Sequence, residues 1–293
     1  MNIFSGLEQI TQTDYPLAKY TWYGLGGSAD FFIRPENTDQ LAEIVRRCRQ
    51  HDMPFRILGF GSNLLINDKG VRGAVIKLDS KDFSRTDIDG DTVTAWAGAD
   101  LSKLVLECVR KGLSGLEGLT GVPGSMGGAI KMNAGGNFGD IGTVVETVLL
   151  MDNSGQLYEQ SKPELVFDYR STNITASVIL KAQLKLTPAN TDQILRTVKE
   201  IWIYKKNNQP LNTKNSGCIF KNPRGVSAGA LIDRAGLKGL QVGDVKVSDK
   251  HANFIIAGKT STSRDIKRLI EAVRQRVNEQ FDVDLELELE IWD

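Results

Sequence analysis

Glycine constrains this chain more than any other residue type. Gly112, Gly115, Gly118, Gly121, Gly124 and Gly127 recur at every third position, and Gly128, Gly135, Gly136, Gly139 and Gly142 follow. A collagen-like triple helix is excluded, because the run is short and its intervening residues are apolar with a single proline, Pro123. An α-helix is disfavoured, since each interior glycine costs about 1 kcal/mol relative to alanine. The run therefore predicts a long backbone loop that approaches something closely. Two readings stay open: N–H groups forming an anion-binding concavity, or tight turns packed beneath a sheet edge.

Another glycine site, the first along the chain, is 58–65 (LGFGSNLL), after a predicted strand at 54–58. GxG after a strand suits phosphate contact through backbone N–H groups. The dinucleotide fingerprint, however, needs GxGxxG opening a helix, and here the third position is Leu64 with no helical pattern behind it. No Walker A sequence is present.

Helix and strand patterns alternate around these sites. Leu41, Ile44, Val45 and Cys48 fall at i, i+3, i+4, i+7, with Asn37 or Thr38 as N-cap; Leu101, Leu104, Val105 and Cys108 repeat the spacing and Gly112 closes it. Ile194, Leu195, Val198, Ile201 and Trp202 predict a third helix, ending before Pro210. Ile266, Leu269, Ile270, Val273 and Val277 predict a fourth, capped by Thr262 or Ser263. Residues 176–186 alternate strictly, with Val178, Leu180, Ala182, Leu184 and Leu186 on one face, and Asp152-Asn153-Ser154-Gly155 reads as a turn. The tail, 283–291, alternates apolar odd positions with acidic even ones.

Composition narrows the class. Lys+Arg and Asp+Glu are both 36 in 293 residues, so bulk nucleic-acid binding is disfavoured. No run of about 20 apolar residues predicts a membrane span. The opening MNIFSGLE lacks the basic region and apolar core of a secretory signal. Cys48, Cys108 and Cys218 form no CxxC pair, which favours a reducing compartment; two histidines, His51 and His251, are too few for a His-rich zinc site. The expectation is a cytoplasmic protein without a membrane or nucleic-acid partner.

The segments 21–29 (TWYGLGGSA), 58–65 (LGFGSNLL), 115–135 (GLEGLTGVPGSMGGAIKMNAG), 168–171 (DYRS), 217–223 (GCIFKNP) and 248–254 (SDKHANF), in this order, resemble the UDP-N-acetylenolpyruvoylglucosamine reductase (MurB) family of peptidoglycan synthesis, in its compact subtype. The resemblance runs nearly end to end. It implies an α+β protein: a two-lobed FAD-binding fold of the vanillyl-alcohol-oxidase (PCMH) type, 1–80 and 81–188, then a C-terminal α/β substrate domain, 189–293. It implies non-covalent FAD, NADPH as reductant, a UDP-sugar substrate and a monomer.

Residue by residue, the resemblance assigns cofactor contact to Gly59, Phe60, Gly61, Ser62, Asn63 and Leu64, and to Gly121, Pro123, Gly124, Ser125, Gly127, Gly128 and Ala129. Their N–H groups are expected to hold the FAD diphosphate, with Asn133 and Ala134 in the flavin pocket. It places Arg170 on the substrate carboxylate, a task suited to a permanently charged, bidentate guanidinium. It aligns Glu288 with a C-terminal catalytic glutamate, while Glu286 and Glu290 share that face, so register decides among the three. Cys218 stands where many members carry a serine proton donor; a thiol, with reference pKa about 8.5, is the stronger acid. Cys48 and Cys108 read as small buried apolar residues. Lys221 and Asn222 are expected at the substrate diphosphate or pyruvyl group, with solvent exposure an equal alternative for Lys221. His251 is either near the cleft or structural. Gly24 departs from the pattern, replacing a basic residue. A flavin oxidase of the same fold is the competing reading, but no histidine or cysteine is placed to tether a flavin, and GCIFKNP has no part in it. A non-catalytic nucleotide-binding protein is disfavoured because Arg170, Cys218 and Glu288 are all present.

Overall fold

The computed structural model describes residues 3–293. Helices stand where the apolar spacing predicts them. Thr38–Gln50 opens at Asn37, whose side chain accepts the Gln40 N–H at 3.0 Å, and it buries Leu41, Ile44, Val45 and Cys48. Leu101–Arg110 opens at Asp100, which accepts the Lys103 N–H at 3.1 Å; beyond its end Gly112 sits at φ +68°, the left-handed geometry that glycine adopts without strain. Thr191–Asn208 and Ser263–Phe281 are the long helices. Thr262 caps the latter in a reciprocal box with Asp265. Asp68 adds its carboxylate, accepting the N–H groups of Ser263 at 2.8 Å and Arg264 at 3.2 Å at the positive end of the helix dipole.

The chain divides into two compact units, neither contiguous in sequence. The first holds the residues through Asp14, Asp30–Phe60 and Arg72–Tyr204; the second holds Tyr15–Ala29, Gly61–Val71 and Lys205–Asp293. The expected borders after residues 80 and 188 both fall inside the first unit.

In the first unit a five-stranded antiparallel sheet runs in the order Leu157–Ser161, Val145–Met151, Val178–Lys185, Thr92–Trp96, Thr86–Asp89. Val178, Leu180, Ala182 and Leu184 are its buried face, as the alternation predicts. Asp152 makes the expected turn, its Oδ1 accepting the N–H groups of Ser154 at 2.7 Å and Gln156 at 3.0 Å. A four-stranded sheet is ordered Thr11–Pro16, Ser28–Ile33, Val71–Lys77, Phe55–Leu58, the last two parallel with Leu58 opposite Lys77. Two apolar cores form: Leu101, Leu104, Val105 and Ile130 pack with Val148 and Leu184, and Leu41, Ile44 and Val45 pack with Ile76, Phe83 and Leu180. Each such side chain contributes about 1.5–3 kcal/mol on burial. In the second unit Ile266, Leu269, Ile270 and Val273 pack on a three-stranded sheet, Gln241–Val242, Val245–Val247, Ile255–Ala257.

Two expectations are corrected. The glycine run is not loop throughout, because Met126–Lys131 is a short helix containing Gly127 and Gly128. Packing overrides propensity here. The N–H groups of Met126 and Gly127 donate to the carbonyls of Ala99 and Ala97 at 2.9 and 2.8 Å, and a Cβ on Gly127 would lie 2.9 Å from that of Ala97. The acidic tail is mostly not in a ladder: only Glu290–Trp292 forms a strand, parallel to Leu64–Ile66, while Leu287 makes a single bridge to Phe220. No helix among the described residues is long and apolar enough to cross a membrane.

Candidate active site

In the second unit, the polypeptide of the GCIFKNP segment lies alongside that of the acidic tail. The Ile219 carbonyl accepts the N–H groups of Glu288 at 2.8 Å and Leu289 at 3.2 Å, and the Lys221 N–H donates to the Glu286 carbonyl at 2.8 Å. These bonds join the segment that carries Cys218 to the one that carries Glu288, with Glu288 bonded to the residue after the cysteine. Cys218 is half-buried, the one cysteine not fully enclosed. Burial pushes the thiols of Cys48 and Cys108 up to about 11 and about 12.

The three glutamates of the tail differ in exposure and partners. Glu286 is exposed and its carboxylate forms an ion pair with Lys221; Glu290 is exposed within its strand; Glu288 alone of the three is half-buried. Lys221 thus stands in a surface pair, and Asn222 uses its Oδ1 to accept the Ala228 N–H at 3.0 Å, fastening the start of helix Ala228–Arg234.

In the first unit the two glycine sites meet. A Cβ on Gly59 would lie 2.5 Å from the Ser125 hydroxyl oxygen, so a larger residue there would require the Ser125 side chain to turn. The N–H groups of Met126, Gly127 and Ala129 are taken by the carbonyls of Ala99, Ala97 and Ser125. The Val122 N–H is taken by the Leu119 carbonyl at 2.9 Å, and Pro123 has no N–H to offer. Ala129 is buried and Ala134 packs against the same core. Asn133 is buried too, at φ +40°; its Nδ2 donates to the Asp168 carbonyl and its Oδ1 accepts the Gly142 N–H, both at 3.0 Å.

Through Asp168 that asparagine holds the hairpin carrying Arg170. Phe167–Asp168 pairs with Ser171–Thr172, leaving Tyr169 and Arg170 as the connection. Arg170 is at φ +55°, a left-handed conformation that costs a non-glycine residue about 1–3 kcal/mol. Its half-buried guanidinium lies 5.2 Å from the centre of the Tyr169 ring. Arg170 belongs to the first unit, Cys218 and Glu288 to the second.

The other half of the first glycine site lies in the second unit. Gly61, at φ +62°, accepts the Trp22 N–H at 3.1 Å, and a Cβ there would lie 1.9 Å from the Tyr20 carbonyl oxygen. Leu64 is buried and begins a strand, and the Asn63 side chain donates to the Glu288 carbonyl at 2.7 Å.

Three features escaped the sequence reading. Lys77 is 8% exposed, and its ammonium donates to the Gly59 carbonyl and lies 5.5 Å from the centre of the Phe60 ring. Burial holds its pKa below the ordinary lysine value, with Asp79 opposing that shift. Its only signal is a lysine directly after the apolar run Ala74-Val75-Ile76. Lys214 brings its Nζ to 3.5 Å from the point where a Gly24 Cβ would be, so a lysine distant in sequence reaches the place of the missing basic residue. Asn253, within a segment noted only for resemblance, binds the Phe220 backbone through both ends of its amide. His251 is mainly structural: its Nδ1 accepts the Asn253 N–H at 3.3 Å, its ring meets Phe254 edge-on at 4.8 Å, and burial lowers its pKa.

Two family models match the chain. The C-terminal domain of UDP-N-acetylenolpyruvoylglucosamine reductase covers residues 209–292, and an FAD binding domain covers 29–161. The UDP-N-acetylenolpyruvoylglucosamine reductase of Bacillus velezensis is 38% identical over 279 residues, 94% of this chain and 92% of the relative. The chain belongs to the UDP-N-acetylenolpyruvoylglucosamine reductase family. The reductase of Moorella thermoacetica, 38% identical, covers 98% of this chain and 95% of its own length. The crystal structure of the Thermus caldophilus reductase (MurB) superposes with a TM-score of 0.83 at 39% identity, over 97% of this chain and 98% of that one. Phl p 4, a grass pollen allergen with glucose dehydrogenase activity, shares the fold alone, at 15% identity and a TM-score of 0.50 over 96% of this chain and 56% of its own. The family and fold expected from the sequence are thereby confirmed. As a member of the reductase family the protein is an oxidoreductase and flavoprotein of peptidoglycan synthesis, built with an FAD-binding domain. Its residues fit that cofactor: neither 59–64 nor 121–134 contains an acidic side chain, and the Lys77 ammonium lies under the first loop.

Proposed function

We propose that the chain uses NADPH to reduce UDP-N-acetylglucosamine enolpyruvate to UDP-N-acetylmuramate, as a cytoplasmic monomer. The observation that supports the residue assignment is the backbone bond from Glu288 to Ile219, which joins the tail to the residue next to the half-buried cysteine. FAD, when bound, supplies the two-electron hydride carrier that no side chain can provide. The loops at 59–64 and 121–129 hold its diphosphate, with Asn133 and Ala134 at the flavin.

The protein's task is to manage charge and a proton. Addition of hydride to the vinyl carbon remote from the substrate carboxylate leaves negative charge on that carboxylate as an enolate. Arg170 binds both carboxylate oxygens and stabilises the charge as it grows. Glu288, in its protonated form, shares its proton with the same oxygens. Cys218 gives the Sγ proton to the carbon beside the carboxylate, completing the lactyl ether; the thiolate recovers a proton from solvent. Lys221 and Asn222 lie in the adjacent chain and serve the substrate diphosphate, Lys221 exchanging Glu286 for phosphate. The division of labour proposed is 1–80 and 81–188 for flavin and 189–293 for the sugar nucleotide.

The test follows flavin absorbance anaerobically in two steps. Bleaching by NADPH and recolouring by the enolpyruvyl substrate are expected. Bleaching without recolouring would exclude this substrate. Cys218→Ala should leave the first step intact and slow the second by about 10²–10⁴-fold, the usual contribution of a general acid.

A further inference from the structure

Two asparagines hold the backbone on either side of Cys218 and Glu288: Asn63 belongs to the proposed flavin loop, and Asn253 has no part in the chemistry proposed above. Asn253 is 2% exposed. Its Oδ1 accepts the Phe220 N–H at 3.0 Å, its Nδ2 donates to the Phe220 carbonyl at 2.8 Å, and its own carbonyl accepts the Ile219 N–H at 2.9 Å. To residues 219 and 220 this side chain and its backbone present the donor and acceptors of a neighbouring strand. A primary amide does this because it offers a donor and an acceptor in one plane, as a peptide does.

Asn63 acts on the opposite flank. Its Nδ2 donates to the Glu288 carbonyl at 2.7 Å, and its carbonyl accepts the Glu290 N–H at 3.1 Å. Glu288 in turn donates to Ile219. The sequence of contacts is therefore Asn253, then 219–220, then Glu288, then Asn63, with every link a hydrogen bond inside the second unit.

We propose that Asn253 is a positioning residue that fixes the segment carrying Cys218 in register with Glu288. This rests on the reading of Cys218 and Glu288 as reacting groups. Loss of its amide donor frees one flank of the pair while leaving the flavin loops untouched. An error of about 1 Å in a reacting group costs on the order of 100-fold in rate, and removal of a supporting partner typically costs about 10–100-fold.

Asn253→Asp, nearly isosteric, removes the donor and keeps the acceptor. With the FAD-loaded protein, flavin reduction by NADPH should stay within about twofold of the parent, whereas recolouring by the enolpyruvyl substrate should slow about 10–100-fold. In the flavin-free protein, Asn253→Asp should speed iodoacetamide alkylation of Cys218, since its peptide is no longer held on both sides. Equal slowing of both steps, or an unchanged second step with unchanged alkylation, would overturn the proposal. If Asn253→Asp does not fold, Asn253→Ser, too short to bridge both Phe220 backbone groups, gives the same split between steps or refutes it. Cys218→Ala and Glu288→Gln are measured in parallel. If both keep the parental second step, the assignment of the reacting groups has failed, and alkylation then decides the positioning claim by itself.

Discussion

Gly61→Ala tests whether the first glycine site is shaped by contact or merely by flexibility. Gly61 has φ +62°, and an added Cβ would stand 1.9 Å from the Tyr20 carbonyl oxygen and 3.1 Å from the Thr21 Cα. Three costs combine. The left-handed conformation costs an alanine about 1–2 kcal/mol. Relief of the clash requires a backbone shift of more than about 1 Å, comparable to overpacking at about 1–3 kcal/mol. That shift also strains the bond from the Trp22 N–H to the Gly61 carbonyl, worth about 1 kcal/mol. Together they predict a loss of about 3–6 kcal/mol, a large part of the typical 5–15 kcal/mol of a folded protein. Gly90→Ala is the control. It has nearly the same φ, +59°, with nothing within 4 Å of an added Cβ, and should lose only the conformational cost of about 1–2 kcal/mol. Urea melts of both variants, with flavin retention measured after gel filtration, make the comparison. Equal losses would refute the contact as the reason for glycine at 61.

Three further outcomes are expected. Native protein should react with iodoacetamide at Cys218 alone and at all three cysteines in urea, because burial holds Cys48 and Cys108 protonated to about 11 and about 12; labelling of either in the native state, read by peptide mass, would contradict their enclosure. Stability should fall as pH drops below 6.5, since the unfolded chain protonates His251 at its ordinary value while the buried ring resists; His251→Gln should flatten that part of the urea-midpoint profile, and an unchanged slope would count against it. Glu288→Gln should impair recolouring, whereas Glu286→Gln should remove only an exposed ion pair worth about 0–1 kcal/mol; stopped-flow rates that reverse this order would select Glu286 as the reacting carboxylate.

Much of this protein is legible in its sequence because short-range chemistry settles it. The spacing of Leu41, Ile44, Val45 and Cys48 specifies a helix face, Asn37 and Thr262 mark helix starts, and the alternation from Val178 to Leu184 names the buried side of a strand. The six ordered segments identify the family, and Cys218 is separable from Cys48 and Cys108 because those two lie on apolar helix faces. The rest depends on residues remote in sequence. Gly127 is helical because Ala97 and Ala99 accept its N–H and that of its neighbour, a contact no local propensity contains. Glu288 differs from Glu286 and Glu290 in exposure and in its partners, Ile219 and Asn63, whereas alternation places all three on one face. Lys77 and Asn253 look like an ordinary strand lysine and a loop asparagine until the fold buries them under Gly59 and against Phe220. Periodicity and caps are properties of neighbouring residues, whereas burial and partner choice are properties of the folded chain.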